Sequence, residues 1–186
     1  QQHAGELERR SAACRPGDLA ILVYTSGTTG KPKGAMHTHG AITYTLRGYN
    51  TLIARDENDE AMCFLPLCHI AERMGGEYFS LYTGSKLNFV ENPETVPENV
   101  REIAPTVFTA VPRVWEKFYS GVMISLKEST RMQQLAYAWA IGVGTRIADH
   151  VLAGETVSAS LKLRFYLARW LALDNVRKLI GIHKAR

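Results

Sequence analysis

Residues 61–110, AMCFLPLCHIAERMGGEYFSLYTGSKLNFVENPETVPENVREIAPTVFTA, alternate short apolar runs with stretches of helical spacing. This alternation decides the fold class. It predicts a strand over Ala61–Leu65, a helix over Ala71–Tyr82, a strand over Lys86–Val90, a helix over Val96–Ile103 and a strand over Thr106–Ala110. Glu91-Asn-Pro-Glu-Thr95 and Ala104-Pro105 supply the start and stop chemistry of the second helix. Strands separated by helices of about 10 residues imply right-handed crossovers and a parallel sheet covered by helices.

Upstream, Asp18-Leu-Ala-Ile-Leu-Val-Tyr24 is an apolar run rich in strand formers that stops at a Ser/Thr/Gly cluster, so it reads as a strand followed by a loop. Ala35–Thr38 resumes as a strand. Ala41–Ala54 then carries Ile42, Leu46, Tyr49 and Ile53 at helical spacing, before the acidic turn Asp56–Glu60. A polar, helical lead-in precedes all of this. Downstream, residues 112–173 are helical in pattern, with Trp115, Phe118, Val122 and Leu126 on one face and an interruption expected at Gly142-Val-Gly144. Val176–Ile180 reads as the beginning of another strand. The fold class expected is α/β, a partial parallel-sheet subdomain with covering helices and a helical excursion.

The chain has 186 residues, 46% of them hydrophobic and 22% charged, enough for a sizeable core and for one domain or part of one. Its net charge of +4 arises from 22 basic and 18 acidic residues without a run of like charge, so no nucleic-acid partner is indicated. Cys14, Cys63 and Cys68 are odd in number and lack a C-x-x-C pair or zinc spacing. They indicate neither a disulfide framework nor a structural metal, and point to a reducing, cytoplasmic compartment. The N-terminus is polar, without a signal-peptide pattern, and does not begin with Met, which suggests a piece of a longer protein. No run reaches the roughly 20 apolar residues of a membrane span. Lys162, Arg164 and Arg169 lie among Phe165, Tyr166, Trp170 and leucines. A packed helix with solvated charges is the preferred reading of that segment, and peripheral membrane contact is the alternative.

The chemistry sits in Tyr24-Thr-Ser-Gly-Thr-Thr-Gly-Lys-Pro-Lys-Gly34. Glycines let backbone N–H groups approach phosphate oxygens, hydroxyls donate further hydrogen bonds and lysines supply charge. Pro32 stiffens the end of the loop. The P-loop pattern G-x-x-x-x-G-K-[ST] does not fit, because Pro32 follows Gly27 by five residues and Ala35 follows Gly30 by five.

This string resembles, without departure, the signature Y-T-S-G-T-T-G-x-P-K-G of the AMP-forming acyl-, aryl- and luciferin-activating ligases. The resemblance implies that Thr25, Ser26, Gly27, Thr28, Thr29, Gly30 and Lys33 bind the β- and γ-phosphates of ATP and then the leaving pyrophosphate. It also implies that Thr25 touches Mg2+. Phe64-Leu-Pro-Leu-Cys-His-Ile-Ala-Glu-Arg73 is similar to the L-P-L-x-H segment beside the acyl and adenylate site, which makes His69 a candidate catalytic and substrate-side residue. Arg73 stands where some related fatty acyl ligases carry a Trp that gates the acyl tunnel. A substrate-side Arg73 and an Arg on an exposed helix face are both open readings. Pro105-Thr-Val-Phe-Thr-Ala-Val-Pro-Arg-Val-Trp-Glu-Lys117 resembles the P-T-x-x-x-x-V-P-R-x-x-E-K segment of the long-chain fatty acid:CoA ligase branch, and physically its Trp115 and an Arg113–Glu116 pair read as core and surface residues.

The resemblance implies a two-step reaction, with a fatty acid and ATP giving acyl-AMP and pyrophosphate, and coenzyme A then displacing AMP. The 186 residues would form part of the large N-terminal domain, with a phosphate loop at 24–34, βα units at 61–110 and a mostly helical part at 112–173. The adenine, ribose and hinge segments and the small C-terminal domain with its lysine are expected outside them, so the piece alone is expected to be inactive. A sheet cut at both ends leaves edges and apolar faces uncovered, which favours instability or self-association into homo-oligomers. The competing readings are a ligase for another carboxylic acid, or a noncatalytic nucleotide-binding or interaction module.

Overall fold

The computed structural model describes residues 5–25 and 30–186, which fall into two units, Gln1–Phe89 and Val90–Arg186. In the first unit, helix α1 (Glu6–Ala13) has no buried residue, and its Glu6 carboxylate pairs with Arg9 and Arg10. Strands β1 (Leu19–Thr25) and β2 (Lys33–Thr38) form an antiparallel pair whose register sets Val23 against Ala35 and Thr25 against Lys33. Helix α2 (His39–Leu52) follows without a connecting loop, because Thr38 ends the strand and also caps the helix: its hydroxyl accepts from the Ala41 N–H at 3.2 Å.

Strand β3 (Glu60–Cys63) pairs in parallel with β4 (Lys86–Phe89). The crossover between them is one winding of three parts: α3 (Ile70–Glu72), a π-helical stretch (Arg73–Tyr78) and α4 (Phe79–Thr83). Ala61, Met62, Cys63 and Phe64 are all buried. Above the strand pair, Leu46 of α2 meets Met74 and Phe79, with Ile42, Ile70 and Tyr78 packed around them. Burial of each such side chain is worth about 1.5–3 kcal/mol, so this cluster is what holds α2 against the crossover. The buried Arg55 guanidinium lies over the Phe79 ring, 4.5 Å from its centroid.

The second unit is helical after a short 3-10 turn (Pro93–Thr95), with α5 (Val96–Ile103), α6 (Pro112–Lys127), α7 (Arg131–Leu152), α8 (Ala159–Ala168), a π-helical stretch (Arg169–Leu173) and α9 (Asp174–Ile180). Thr130 and Gln133 form a capping box at the start of α7. Ala140 and Val143 of α7 meet Ala168 and Ala172, and these small residues let the two helices approach closely. Lys162 and Arg164 are exposed, and so are Tyr166 and Trp170 on the same segment. Among the described residues, no helix is long and apolar enough to cross a membrane.

The α/β class with covering helices and a helical excursion is the one observed, with several differences in detail. Among the described residues, parallel pairing is confined to β3 and β4, and the other strand pair is an antiparallel hairpin. Thr106–Ala110 is irregular rather than a strand. Its Phe108 instead packs in a ring cluster with Trp115 and Phe118 at centroid distances of 5.6 and 6.0 Å. Val176–Ile180 is helical, because α9 continues the preceding winding and stops at Gly181. Helix α7 runs through Gly142 and Gly144 without a break, since the Ala140–Val143 face is buried against Ala168 and Ala172.

Candidate functional site

Two loops of the first unit carry the candidate site. The first closes the β1–β2 hairpin. Its ends are fixed by the ladder, in which Tyr24 pairs with Gly34 and Thr25 with Lys33. Directly opposed residues project to one face of an antiparallel pair, so the Thr25 hydroxyl and the Lys33 side chain flank the mouth of the loop together. Thr25 Oγ1 makes a long contact of 3.5 Å with the Lys33 carbonyl. Thr25, Gly30, Lys31, Pro32 and Lys33 are all exposed, and among the described residues Lys33 forms no ion pair. Ser26, Gly27, Thr28 and Thr29 lie outside the described residues.

The second loop joins β3 to α3 and presents His69. Pro66 and His69 close a turn, with the His69 N–H donating to the Pro66 carbonyl at 2.8 Å. His69 is the N-cap of α3, and its Nδ1 accepts from the Ala71 N–H at 3.2 Å. A neutral imidazole that accepts at Nδ1 carries its proton on Nε2. The exposed ring therefore offers a donor to whatever lies in front of it.

Arg73 is half-buried rather than on an exposed face. Its Nε donates to the Leu67 carbonyl at 3.0 Å, and its guanidinium pairs with Glu77 at 3.0 Å. The residue the sequence reading missed is Glu72. It is only 6% exposed, and its Oε2 accepts from the Leu65 N–H at 3.0 Å. A single acid in a helical pattern reads as a surface residue, and no local pattern in the sequence marks this role. Beside it, burial and the Glu72 charge push the Cys63 thiol up to about 12. Cys14, Cys63 and Cys68 are free thiols.

Next to His69 in sequence, Ile70 and Ala71 help line a recess of about 340 Å³. His37 of β2, Ile42 and Tyr49 of α2, and Met74 close its other sides. This volume lies within the range of small-molecule pockets, and the recess brings the end of the hairpin and the start of the crossover helix to one place. Among the described residues, no three His, Cys, Asp or Glu side chains come together as a metal site.

The family profile described as AMP-binding enzyme matches residues 1–173. The chain belongs to the AMP-binding enzyme family. Its relatives in that family include a putative fatty-acid–CoA ligase, fadD11, of Mycobacterium tuberculosis, 35% identical over 97% of this chain and 32% of that protein. The long-chain-fatty-acid–CoA ligase ACSBG2 of Gallus gallus is 34% identical over 91% of this chain and 23% of its own length. The chain thus spans about a third or less of these AMP-binding relatives. Among solved structures, the O-succinylbenzoate coenzyme A synthetase MenE of Bacillus subtilis in complex with AMP matches 63% of this chain and 29% of its own, with a TM-score of 0.50 and 26% identity. VinN, at 24% identity and a TM-score of 0.50 over 63% of this chain, shares the fold.

Proposed function

We propose that the protein is the phosphate- and acyl-side part of a ligase that activates a long-chain fatty acid with ATP and passes the acyl group to coenzyme A. The observation that carries this reading is the pairing of Thr25 with Lys33 at the mouth of the Gly/Ser/Thr loop, in a chain whose relatives carry names of fatty-acid–CoA ligases. In the first half-reaction a carboxylate oxygen attacks the α-phosphorus of ATP, the bond to the β-phosphate oxygen breaks, and pyrophosphate leaves. Ser26, Gly27, Thr28, Thr29 and Gly30 hold the β- and γ-phosphates through hydroxyl and backbone donors, and the Lys33 ammonium offsets the charge that builds on the leaving pyrophosphate. His69 donates from Nε2 to an oxygen of the carboxylate or the acyl phosphate, and the adjacent recess takes part of the acyl chain. In the second half-reaction the coenzyme A sulfur attacks the acyl carbon and AMP leaves.

Thr25 suits a hard divalent cation such as Mg2+: its hydroxyl oxygen is exposed, and its one described contact is the long one to the Lys33 carbonyl. Thr25 would hold the ion, which would supply electrostatic stabilisation of the phosphate charge.

The test is ATP–pyrophosphate exchange by the full-length protein, with palmitate compared against short-chain and aromatic acids. Exchange that depends on palmitate is expected, and the Lys33→Ala variant should lose on the order of 100-fold in rate, the scale of one removed oxyanion-type donor. Lys33 is exposed, so the fold should survive the substitution. Exchange supported only by a short or aromatic acid would overturn the long-chain assignment, and nucleotide binding without exchange for any acid would favour a noncatalytic module.

A further inference from the structure

Glu72 and Arg73 are consecutive residues that grip the His69 loop on either side of Pro66. Glu72 Oε2 accepts the Leu65 N–H, and Arg73 Nε donates to the Leu67 carbonyl, both at 3.0 Å. Leu65 and Leu67 flank Pro66, and Pro66 accepts from the His69 N–H. Both braces therefore end on the segment that aims the imidazole. Arg73 is itself held by Glu77 one turn on.

A buried carboxylate is costly unless it is hydrogen-bonded, so its presence beside β3 calls for a reason that packing alone does not supply. An apolar side chain of similar volume would fill the space without that cost, but it would leave the Leu65 N–H without its acceptor. Gly76 shows how closely the carboxylate is seated. A Cβ on that residue would come within 2.3 Å of Glu72 Oε1, and the site keeps clear because no side chain is there. The carboxylate thus has a backbone donor at one oxygen and a helix backbone against the other.

We propose that Glu72 is a positioning residue that acts through His69, with Arg73 as its partner and Gly76 as its steric counterpart. The inference rests on the reading of His69 as a site residue in an acyl-activating reaction. Without Glu72 the Leu65–Leu67 stretch that leads into His69 loses one of its two side-chain braces from the helix, and the imidazole shifts relative to the reacting carboxylate. A displacement of about 1 Å in such a group costs on the order of 100-fold in rate.

The experiment is a double-mutant cycle in the full-length protein, read by palmitate-dependent pyrophosphate exchange. Glu72→Ala should lower kcat roughly 10- to 100-fold with the KM for ATP unchanged, and Glu72→Gln, which keeps an acceptor in place, should recover most of the rate. In a His69→Ala background, Glu72→Ala should change the rate by less than about twofold, because its effect is already lost. Gly76→Ala, which displaces the carboxylate without removing it, should reproduce the kcat loss in milder form and serves if Glu72→Ala does not fold. Equal losses from the Glu72 or Gly76 variants in both His69 backgrounds would overturn the proposal, as would a Gln variant no better than Ala. If His69→Ala leaves exchange unchanged in an otherwise active protein, the reading of His69 fails, and the positioning role with it. Absence of exchange in the unmodified protein with every acid tried would sink the ligase reading first, a result separate from all of these.

Discussion

Replacing Gly181 with Ala should weaken the second unit by an amount the structure allows to be worked out. Gly181 ends α9 in the left-handed region, at φ 86°. A side chain there carries a penalty of roughly 1–2 kcal/mol. A Cβ at this position would also come within 2.5 Å of the Val100 carbonyl carbon and oxygen and of the Arg101 nitrogen. All three are backbone atoms of α5, whose Val96 and Val100 are fully buried, so the contact cannot be relieved by a rotamer change. Overpacking of this kind adds about 1–3 kcal/mol. Together these make about 2–5 kcal/mol, a large part of the 5–15 kcal/mol that holds a typical domain. The chain has three tryptophans, Trp115, Trp139 and Trp170, all in the second unit. Urea unfolding followed by tryptophan fluorescence therefore reports on the affected part alone. The midpoint should fall clearly, and an unchanged midpoint would refute the claimed approach of α9 to the α5 backbone.

Three further outcomes follow from the first unit. Cys14 and Cys68 are exposed and Cys63 is buried, with its thiol held neutral up to about 12. A thiol reagent at pH 8 should modify the first two quickly and Cys63 only on unfolding. Because the folded value lies above the ordinary 9.0, the contribution of Cys63 to stability is full below pH 9 and lost as pH rises through about 12; a thermal unfolding series across that window checks the sign. His69→Asn keeps a capping acceptor for the Ala71 N–H, whereas His69→Ala removes it and should cost about 1 kcal/mol of stability. Both should lose exchange activity if the Nε2–H donor is used, so paired melting and exchange measurements separate the cap from the chemistry.

What could be read from residues alone follows a physical divide. Ala61–Cys63 and Lys86–Phe89 were legible because short apolar runs bounded by turn residues carry their own signal, and α5 announced itself by Asn92, Pro93 and the acidic first turn. Thr106–Ala110 carries the same β-branched and aromatic composition, yet lies between Pro105 and Pro112, and its Phe108 gains more from the Trp115–Phe118 ring cluster. Gly142 and Gly144 cost about 1 kcal/mol each in a helix, but burial of Ala140 and Val143 in the same turns outweighs that locally. For the site, the hairpin loop was legible as a string of residue types with one chemical use. Glu72 was not, since its role depends on which backbone N–H lies across from it, and that is a property of the folded crossover rather than of any local pattern.

The π-helical stretch Arg73–Tyr78 bears on how this crossover could have arisen and how it can be undone. A π turn is an α-helix with one residue too many, and residues in such a helix are set about 100° apart around its axis. The surplus residue lets the start of the winding face the β3 loop while Phe79 still faces Leu46 and Met74. Deleting Gly75, whose position has open space around it, would heal the coil into a regular helix. With Phe79 kept in the core, the turn bearing Glu72 and Arg73 would swing away from Leu65 and Leu67. A change of one codon would then disconnect the His69 loop from its helix while leaving every residue of that loop in place.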